Sequence, residues 1–264
     1  MSKAILLSAT GIAASVAMLA FGFVSGQQGI AAPDRQIITA STASGQMDRA
    51  EVEKIVREYL LSNPEILLDV QQALEEKRDE QQRLAHKQVI EDDKSEIFNA
   101  SYDGVVGNPD GKFTIVEFYD YNCGYCKRAQ QDMQALTAEN PDLRFVLKEF
   151  PILGPDSQKA HVVSMAFRTL MPEKYGEFHN QLLGGKGRAD EAAAMKIALS
   201  LGADEAKLRE EMKNPAIIEA FSRTYDLANK LSISGTPSYV VGDEVVFGAL
   251  GKEALQEKIA AAGK

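Results

Sequence analysis

The first sustained pattern of apolar positions begins after residue 47. Apolar side chains recur there at the i, i+3, i+4, i+7 and i+8 spacing of an amphipathic helix, at Val52, Ile55, Val56, Tyr59 and Leu60. Asp48 is a suitable N-cap. The helix is expected to end at Asn63-Pro64, because the residue before a proline is pushed out of the α region. A first helix is therefore predicted between these two signals.

A second helix is predicted to start at Pro64, which suits a first helical turn, and to continue to Phe98. Its apolar positions lie near its two ends, and residues 75–83 between them are almost wholly charged or Gln. A single helix with so narrow an apolar stripe buries little surface. Two interpretations stay open: a solvated helix packed at one end, or a helix that shares its apolar ends with partner chains.

From residue 102 onward the pattern changes to strands alternating with helices. Asn108-Pro109-Asp110-Gly111 is a turn signal, and short runs of β-branched and aromatic residues predict strands. Strands are expected at residues 113–119, 143–150, 238–241 and 244–247, helices at 123–139 and 252–262, and four or five further helices within 155–233. This order describes an α/β domain with an inserted helical lobe, preceded by an α-helical region.

The first 26 residues have the layout of an export signal. A charge-free, mostly apolar run from Ala4 to Val24 follows Lys3. A cleaved signal peptide is favoured, although the run is also long enough for an uncleaved membrane anchor. Residues 27–46, rich in Ser, Gly, Ala and Gln, are interpreted as a linker, and residues 47–100 and 101–264 as a helical region and a folded domain. Either form of the leader exports the chain to an oxidising compartment.

Composition and charge narrow the classes of function. Of the 264 residues, 45% are hydrophobic and 25% are charged, which is enough for a sizeable folded core. The formal net charge is −9, from 29 Lys and Arg against 38 Asp and Glu. Such an acidic balance argues against a general nucleic-acid or anionic-membrane binder, so no nucleic-acid partner is expected.

The candidate chemistry is concentrated in the only two cysteines, Cys123 and Cys126. A disulfide between them would enclose two residues and stabilise the fold little. A structural zinc site needs four ligands, and the three histidines are distant in sequence, so neither a metal nor a cofactor is expected. A helix start lowers the pKa of a thiol, which favours a redox pair. Cys123 is then the nucleophile, and Cys126, one turn further on, resolves the mixed disulfide.

Two other motifs fit the same chemistry. Glu117 lies on an apolar strand six residues before Cys123. If it is buried, its pKa is raised and it can move protons to and from Cys126. The alternative, a carboxylate turned to solvent at a strand edge, is less favoured because the strand has the apolar character of a central strand. Thr236-Pro237 opens a later strand, and the residues alone do not decide between a cis and a trans bond.

Neighbouring side chains are given simpler interpretations. His161 and His179 lie in helices of the insert, flanked by apolar residues, and are interpreted as packed or capping histidines rather than catalytic bases. The four residues before Cys123 are expected to rim the site, with Tyr121 or Tyr125 available to contact substrate. Four widely spaced methionines are assigned to the core rather than to a copper site: Met133, Met165, Met171 and Met195.

These motifs, taken together, resemble a known family. A strand, C-G-Y-C at a helix start, a helical insert and T-P before a hairpin are similar to the thioredoxin fold with the helical insertion of DsbA-type proteins. KEFPILGPDS (residues 148–157) and KYGEFHNQLL (residues 174–183) resemble the segments that open and continue that insertion. The resemblance covers about residues 100–264. It implies a cis-proline at Pro237 facing the pair, a redox-tuning Thr236, and a buried carboxylate at Glu117, with a reversible Cys123–Cys126 disulfide.

Two departures from the oxidase DsbA bear on the activity. Gly124-Tyr125 and the Thr before the proline differ from the C-P-H-C and Val-Pro of that protein and are similar to the disulfide isomerase DsbC. By this resemblance Gly124, Tyr125 and Thr236 contact substrate. YLLSNPEILLDVQQAL (residues 59–74) resembles the N-terminal helices of the suppressor-of-copper-sensitivity C (ScsC) proteins, which carry an oligomerisation stalk. That resemblance favours self-association through residues 47–100, with a trimer as the expected oligomer.

The resulting expectation is an exported thiol–disulfide oxidoreductase that acts on misfolded or oxidised exported proteins as an isomerase or reductase. Its expected location is the periplasm or cell envelope of a Gram-negative bacterium. The resemblance implies a membrane electron donor of the DsbD/ScsB type, because isomerisation requires a reduced Cys123. One alternative is a DsbA-type dithiol oxidase. Another, of a different class, is a Cu(I)-binding or copper-tolerance protein that uses the cysteine pair.

Overall fold

The computed structural model describes residues 48–263, so the predicted leader (residues 1–26) and linker (residues 27–46) lie outside the described part. The described residues divide into two units, with the boundary between Glu58 and Tyr59. From residue 48 the first unit holds the beginning of helix α1 (Arg49–Ser62), whose residues include no buried side chain. The predicted first helix is confirmed.

Helices α2 (Ile66–Asp92) and α3 (Lys94–Asn99) replace the single second helix of the prediction. The expectation of one helix continuing to Phe98 is wrong, because Asp93 leaves the helical conformation with φ −102° and ψ 20°. The carboxylate of Asp93 is held by Lys230 Nζ at 2.8 and 3.0 Å. The spacing of apolar residues cannot predict a contact between residues so distant in the sequence, so it did not indicate where α2 ends.

A five-stranded sheet forms the centre of the second unit, in the order β1-β3-β2-β4-β5. Its strands are β1 (Gly104–Gly107), β2 (Phe113–Tyr119), β3 (Leu143–Glu149), β4 (Ser238–Val241) and β5 (Glu244–Phe247). β2 and β3 are parallel, and the other pairs are antiparallel. The predicted strands are confirmed, whereas β1 is absent from the prediction because two valines between two glycines form too short a pattern.

Helices enclose the sheet on both faces. They are α4 (Gly124–Glu139), α5 (Pro155–Leu170), α6 (Tyr175–Leu183), α7 (Glu191–Ser200), α8 (Glu205–Glu211), α9 (Pro215–Lys230) and α10 (Lys252–Ala262), with a 3₁₀ turn at Pro172–Lys174. Successive strand residues point to opposite faces. Ile115 and Leu147 face the larger core, which includes side chains of α4, α5, α6 and α10. Val116 and Val146 face a second core with α2, α3 and α9. The mixed α/β fold with a helical insert is confirmed.

A fully buried lysine joins β3 to the second core. Lys148 Nζ lies 2.6 Å from Asp103 Oδ2 and also donates to the carbonyl oxygen of Glu96 in α3. Burial lowers the pKa of Lys148 and raises that of Asp103, and the charge of each partner opposes the shift in the other. Removing either partner would leave a buried charge without compensation.

Candidate active site

Cys123 lies where the loop after β2 enters α4. It is the N-cap residue of α4, and its sulfur accepts the backbone N–H of Cys126 at 3.4 Å. The N–H of Cys123 donates to the carbonyl oxygen of Asp120 at 2.9 Å. The sulfur therefore occupies the helix-start position predicted for it, where the backbone donors of the first turn favour a negative charge.

The surroundings of Cys123 favour the thiolate. Its pKa is lowered from 9.0 to about 5, chiefly by the hydrogen bond with the Cys126 thiol. The Thr236 side chain and the backbone N–H groups of Cys126 and Tyr125 act in the same direction, and desolvation opposes them. When protonated, the Cys123 thiol donates to the carbonyl oxygen of Thr236 at 3.1 Å. The balance leaves Cys123 ionised at neutral pH.

Cys126 has the opposite character. Burial raises its pKa well above that of an ordinary thiol, with smaller contributions from the hydrogen bond to Cys123 and from the charge of Glu117. Cys123 keeps 6% of its surface exposed and Cys126 none, so a substrate disulfide reaches Cys123 first. Both are free thiols in this structure.

Glu117 is buried, as predicted, with 1% of its surface exposed. It lies in the middle of β2, beside Leu147 of β3 and Tyr239 of β4. Neither carboxyl oxygen has a hydrogen-bond partner among residues 48–263. Burial, helped by the charge on Cys123, raises the pKa of Glu117 to about 8. Since the charge of Glu117 also raises the pKa of Cys126, the carboxyl and the two thiols are electrostatically coupled.

The peptide bond between Thr236 and Pro237 is cis, as the resemblance implied. The bond immediately precedes β4, which pairs antiparallel with β2. That pairing brings the Thr236 carbonyl against Cys123, so residues more than 110 positions apart share one site.

Gly124 and Tyr125, between the two cysteines, are exposed. Tyr125 has 60% of its surface exposed, and its ring centroid lies 4.2 Å from the guanidinium carbon of Arg128. Both residues are therefore accessible to a substrate bound over Cys123. The structure thus brings together Cys123, Cys126, Thr236 and Glu117 from three separate parts of the sequence.

The prediction that the residues before Cys123 rim the site is wrong for three of them. Tyr119, Asp120 and Tyr121 are fully buried, and only Asn122 is half-buried. Tyr121 is thus unavailable to substrate. Polar contacts with the insert hold these residues inward, and such contacts leave no periodic pattern in the sequence.

Asp120 supports the site in a way that the sequence analysis did not predict. Its carboxylate accepts the N–H groups of Asn122 at 2.8 Å and Leu153 at 2.9 Å, and the hydroxyl of Ser157 at 2.7 Å. The first of these bonds is an Asx turn, a pattern that the sequence Asp-Tyr-Asn allows. Asp120 therefore fixes the loop whose carbonyl receives the Cys123 N–H.

The two insert histidines, His161 and His179, are fully buried, in agreement with their interpretation as packed residues. Met133, Met165 and Met195 are core residues, as expected, whereas Met171 is half-buried and packs against the same core. No group of three or more His, Cys, Asp or Glu side chains between residues 48 and 263 is arranged to hold a metal ion. Within the same range, no helix is long and apolar enough to cross a membrane.

Comparison with known families identifies the domain. The sequence model of the DSBA-like thioredoxin domain matches residues 114–260. The chain belongs to the DSBA-like thioredoxin domain family. The model of the copper resistance protein ScsC N-terminal domain matches residues 48–81, which contain α1 and the first half of α2.

Solved structures of a thioredoxin-like oxidoreductase and of ScsC agree with this assignment. A thioredoxin-like oxidoreductase from Silicibacter pomeroyi is 38% identical, with a TM-score of 0.61, covering 64% of this chain and 96% of that one. Proteus mirabilis ScsC in a transitional conformation is 29% identical, with a TM-score of 0.62, covering 81% and 95%. The similarity to ScsC thus extends beyond the thioredoxin domain.

Some curated relatives are longer proteins. The Na⁺/H⁺ antiporter NhaA 3 of Salinispora tropica is 24% identical over 160 residues, which are 61% of this chain. The chain spans about a quarter (24%) of the length of that antiporter. What the two chains share is therefore a segment and not the whole protein.

Proposed function

We propose that the protein is a thiol–disulfide oxidoreductase that acts on protein disulfides through Cys123 and Cys126. The observation that carries the proposal is the contrast between the two thiols. Cys123 is ionised, with a pKa of about 5, and keeps a small exposed surface of 6%, whereas Cys126 is protonated and has no exposed surface. Such a pair separates nucleophilic attack from resolution.

In the first step the Cys123 thiolate attacks one sulfur of a substrate disulfide. A mixed disulfide forms, the substrate S–S bond breaks, and the second substrate sulfur leaves as a thiolate. The exposed Gly124 and Tyr125 and the Thr236 backbone are the surfaces proposed to hold the substrate chain beside Cys123. No external reagent is needed, because thiol–disulfide exchange conserves electrons.

In the second step Cys126 attacks the Cys123 sulfur, and the substrate leaves with two electrons while a Cys123–Cys126 disulfide forms. Cys126 must lose its proton, and Glu117 is the proposed acceptor. Consumption of the Cys123 thiolate removes the charge that, together with burial, raises the pKa of Glu117. Glu117 therefore becomes more ionised when Cys126 needs a base.

We further propose that isomerisation or reduction predominates over net oxidation. The support is the resemblance of Gly124-Tyr125 and Thr236 to the isomerase DsbC. Cys126→Ser separates the modes: it abolishes insulin reduction, but scrambled ribonuclease still refolds because a substrate thiol can release Cys123. Cys123→Ser is the control and loses both activities. A parent protein that oxidises dithiols but never refolds scrambled ribonuclease would exclude an isomerase and leave the DsbA-type oxidase.

Residues 47–100 are proposed to form a homo-oligomer, with a trimer favoured. Apolar side chains along α1 and α2 are exposed in the single chain, among them Ile55, Leu67 and Leu74. The match to the ScsC N-terminal domain covers these positions. Sedimentation of Leu67→Asp/Leu74→Asp should give a monomer, whereas Gln72→Asp/Arg83→Gln, which changes the charge by the same amount at exposed positions on the opposite side of α2, should remain oligomeric. Equal masses for the two variants and the parent would contradict the proposal.

The proposed setting is the periplasm or cell envelope of a Gram-negative bacterium, with misfolded or oxidised exported proteins as clients. A membrane donor of the DsbD/ScsB type would keep Cys123 reduced. Trapping of free thiols in cells should find Cys123 reduced when the donor is present and oxidised when it is deleted. A redox state that does not depend on the donor would exclude this partner.

A copper-binding role for the same pair is the second candidate. The ScsC N-terminal family match favours testing it, because that family is described as copper resistance. Cys123 and Cys126 offer two thiol ligands, which suit two-coordinate Cu(I). Anaerobic Cu(I) titration against a chelator should show one ion that Cys126→Ser releases. Affinity no greater than that of a single thiol would exclude this role.

A further inference from the structure

Helix α5, in the insert, presents three buried polar side chains on one face. Ser157, His161 and Ser164 are spaced i, i+4 and i+7, so they lie along one side of the helix. All three have no exposed surface, which is unusual for such residues unless they are hydrogen-bonded. We call this set the α5 polar face. It contacts the loop between β2 and Cys123.

His161 makes two hydrogen bonds that fix its tautomer. Its Nε2 lies 3.2 Å from the backbone nitrogen of Tyr121, which can only donate, so Nε2 is the acceptor. Its Nδ1 lies 2.7 Å from Glu149 Oε2 at the end of β3, so Nδ1 carries the proton and donates. A neutral Nδ1–H imidazole satisfies both contacts. An imidazolium would place a second N–H against the Tyr121 N–H.

The same carboxylate secures a second contact with Tyr121. Ser164 Oγ donates to Glu149 Oε1 at 2.6 Å and lies 2.8 Å from the Tyr121 hydroxyl. Tyr121 is therefore held at its backbone by His161 and at its ring by Ser164, with Glu149 orienting both. Packing of a tyrosine ring alone would not require hydrogen bonds at both the backbone and the hydroxyl of Tyr121.

Tyr121 precedes Cys123 by two residues, so its position affects the surroundings of the Cys123 sulfur. Only Asn122 separates Tyr121 from Cys123. The carbonyl oxygen of Asp120, the residue before Tyr121, accepts the Cys123 N–H. A shift of this loop would change how the Cys123 sulfur meets the Cys126 N–H, which donates to it at 3.4 Å, and the Cys126 thiol, which both favour the thiolate. The donors that stabilise a thiolate act only over such short distances.

We propose that His161 is a positioning residue for Cys123, which acts through its hydrogen bond to the Tyr121 N–H. This assignment rests on the proposed function only in taking Cys123 as the reactive thiol. The inserted helical lobe then has a defined part in the chemistry: it holds the nucleophile loop against the start of α4. His161 touches neither substrate nor the reacting sulfurs.

Two amide substitutions separate positioning from packing. An Asn side chain can reproduce the Nδ1 position and keep a donor to Glu149, but it is too short to reach the Tyr121 N–H. A Gln side chain can place its oxygen near the Nε2 position and keep that acceptor. His179 supplies the control. It is equally buried, and its Nδ1 lies 3.4 Å from the Tyr121 hydroxyl, so its replacement alters a contact of the Tyr121 ring and leaves the contact of the Tyr121 N–H intact.

The measurement is the pH dependence of Cys123 alkylation in the reduced full-length protein. For His161→Asn we expect the apparent thiol pKa to rise by about one unit, which is roughly a tenfold slower alkylation below pH 5. His161→Gln and His179→Phe should remain within about 0.3 units of the parent. Equal shifts in the Asn and Gln variants, or none in the Asn variant, would overturn the proposal in favour of packing alone.

A measurement on the parent protein guards against an unfolded variant. The ¹⁵N shifts of the His161 ring should report the neutral Nδ1–H tautomer, and an Nε2–H tautomer or an imidazolium would refute the assignment. Alkylation and ring shifts need no turnover, so they are independent of the insulin and ribonuclease assays. A parent inactive in those assays but sensitive at His161 would remove the proposed function and leave the positioning intact.

Discussion

The low pKa of Cys123 predicts that the reduced protein loses stability, relative to the oxidised protein, as the pH falls from 7 to 5. The folded pKa of about 5 lies below the unfolded value of 9.0. The stabilisation is therefore complete above pH 9 and is lost as the pH falls through 5. At pH 7 the folded thiol is ionised and the unfolded thiol is protonated, so the folded state is favoured.

The magnitude follows from proton linkage. With pKa values of about 5 folded and 9.0 unfolded, ionisation of Cys123 stabilises the reduced protein by about 2.7 kcal/mol at pH 7 and about 0.4 kcal/mol at pH 5. The oxidised protein has no Cys123 thiol and lacks this contribution. Cys126, with its raised pKa, is protonated in both folded and unfolded chains over this range and adds nothing. The reduced form should thus lose about 2.3 kcal/mol relative to the oxidised form.

Urea unfolding of both redox forms at the two pH values tests this result. Titrating groups remote from Cys123 are present in both forms and cancel to first order in the difference. Glu117 does not cancel, because the charge of Cys123 raises its pKa only in the reduced form, so the comparison is made in a Glu117→Gln background. Reduced Cys123→Ser is the control and should lose the pH-dependent advantage. A difference that changes by less than about 0.5 kcal/mol, or that grows as the pH falls, would refute the assignment of a thiolate at Cys123.

Three further predictions address other parts of the site and fold. Glu117→Gln should slow the resolving attack by Cys126 about 10- to 100-fold at pH 7 and leave the attack by Cys123 intact. Stopped-flow measurement of release from a mixed disulfide tests this, and release at the parent rate would contradict the role of Glu117 as proton acceptor. Thr236→Val keeps the carbonyl but removes the hydroxyl that favours the thiolate, so the pKa of Cys123 should rise by about one unit in an alkylation titration. An unchanged profile would mean that the Thr236 side chain does not lower the pKa of Cys123. Asp103→Ala should lower the free energy of unfolding by about 3–5 kcal/mol in chemical denaturation, because Lys148 loses its buried partner. Asp103→Ala/Lys148→Met should recover most of that loss, and a double variant no more stable than the single one would disprove the pairing.

The sequence predicted the parts of the fold whose pattern is local. The strand containing Glu117 and the helix that starts at the cysteines follow from short apolar runs and a helix signal, and both are confirmed. Burial of Glu117 could be predicted because its neighbours on both sides are apolar and the strand is central. The cis bond before Pro237 came from resemblance and not from the physics of the residues.

What could not be predicted depends on contacts between distant residues. The end of α2 at Asp92 coincides with the ion pair between Asp93 and Lys230, 137 positions away. The burial of Tyr121 depends on α5, which lies about 40 residues later. A histidine among apolar residues gives the same sequence signal whether it fills space or holds a loop, so the two hydrogen bonds of His161 had no signature.

Two adjacent buried residues at the end of β3, Lys148 and Glu149, affect how this strand aligns with its neighbours as the sheet forms. Lys148 points to Asp103 on one face, and its chain neighbour Glu149 points to His161 and Ser164 on the other. A shift of β3 by one residue would exchange the two faces. It would place an ammonium among tyrosines and histidines, and a carboxylate beside Asp103. Two adjacent charges of opposite sign therefore penalise misalignment of a strand whose remaining side chains are mostly interchangeable hydrophobic residues.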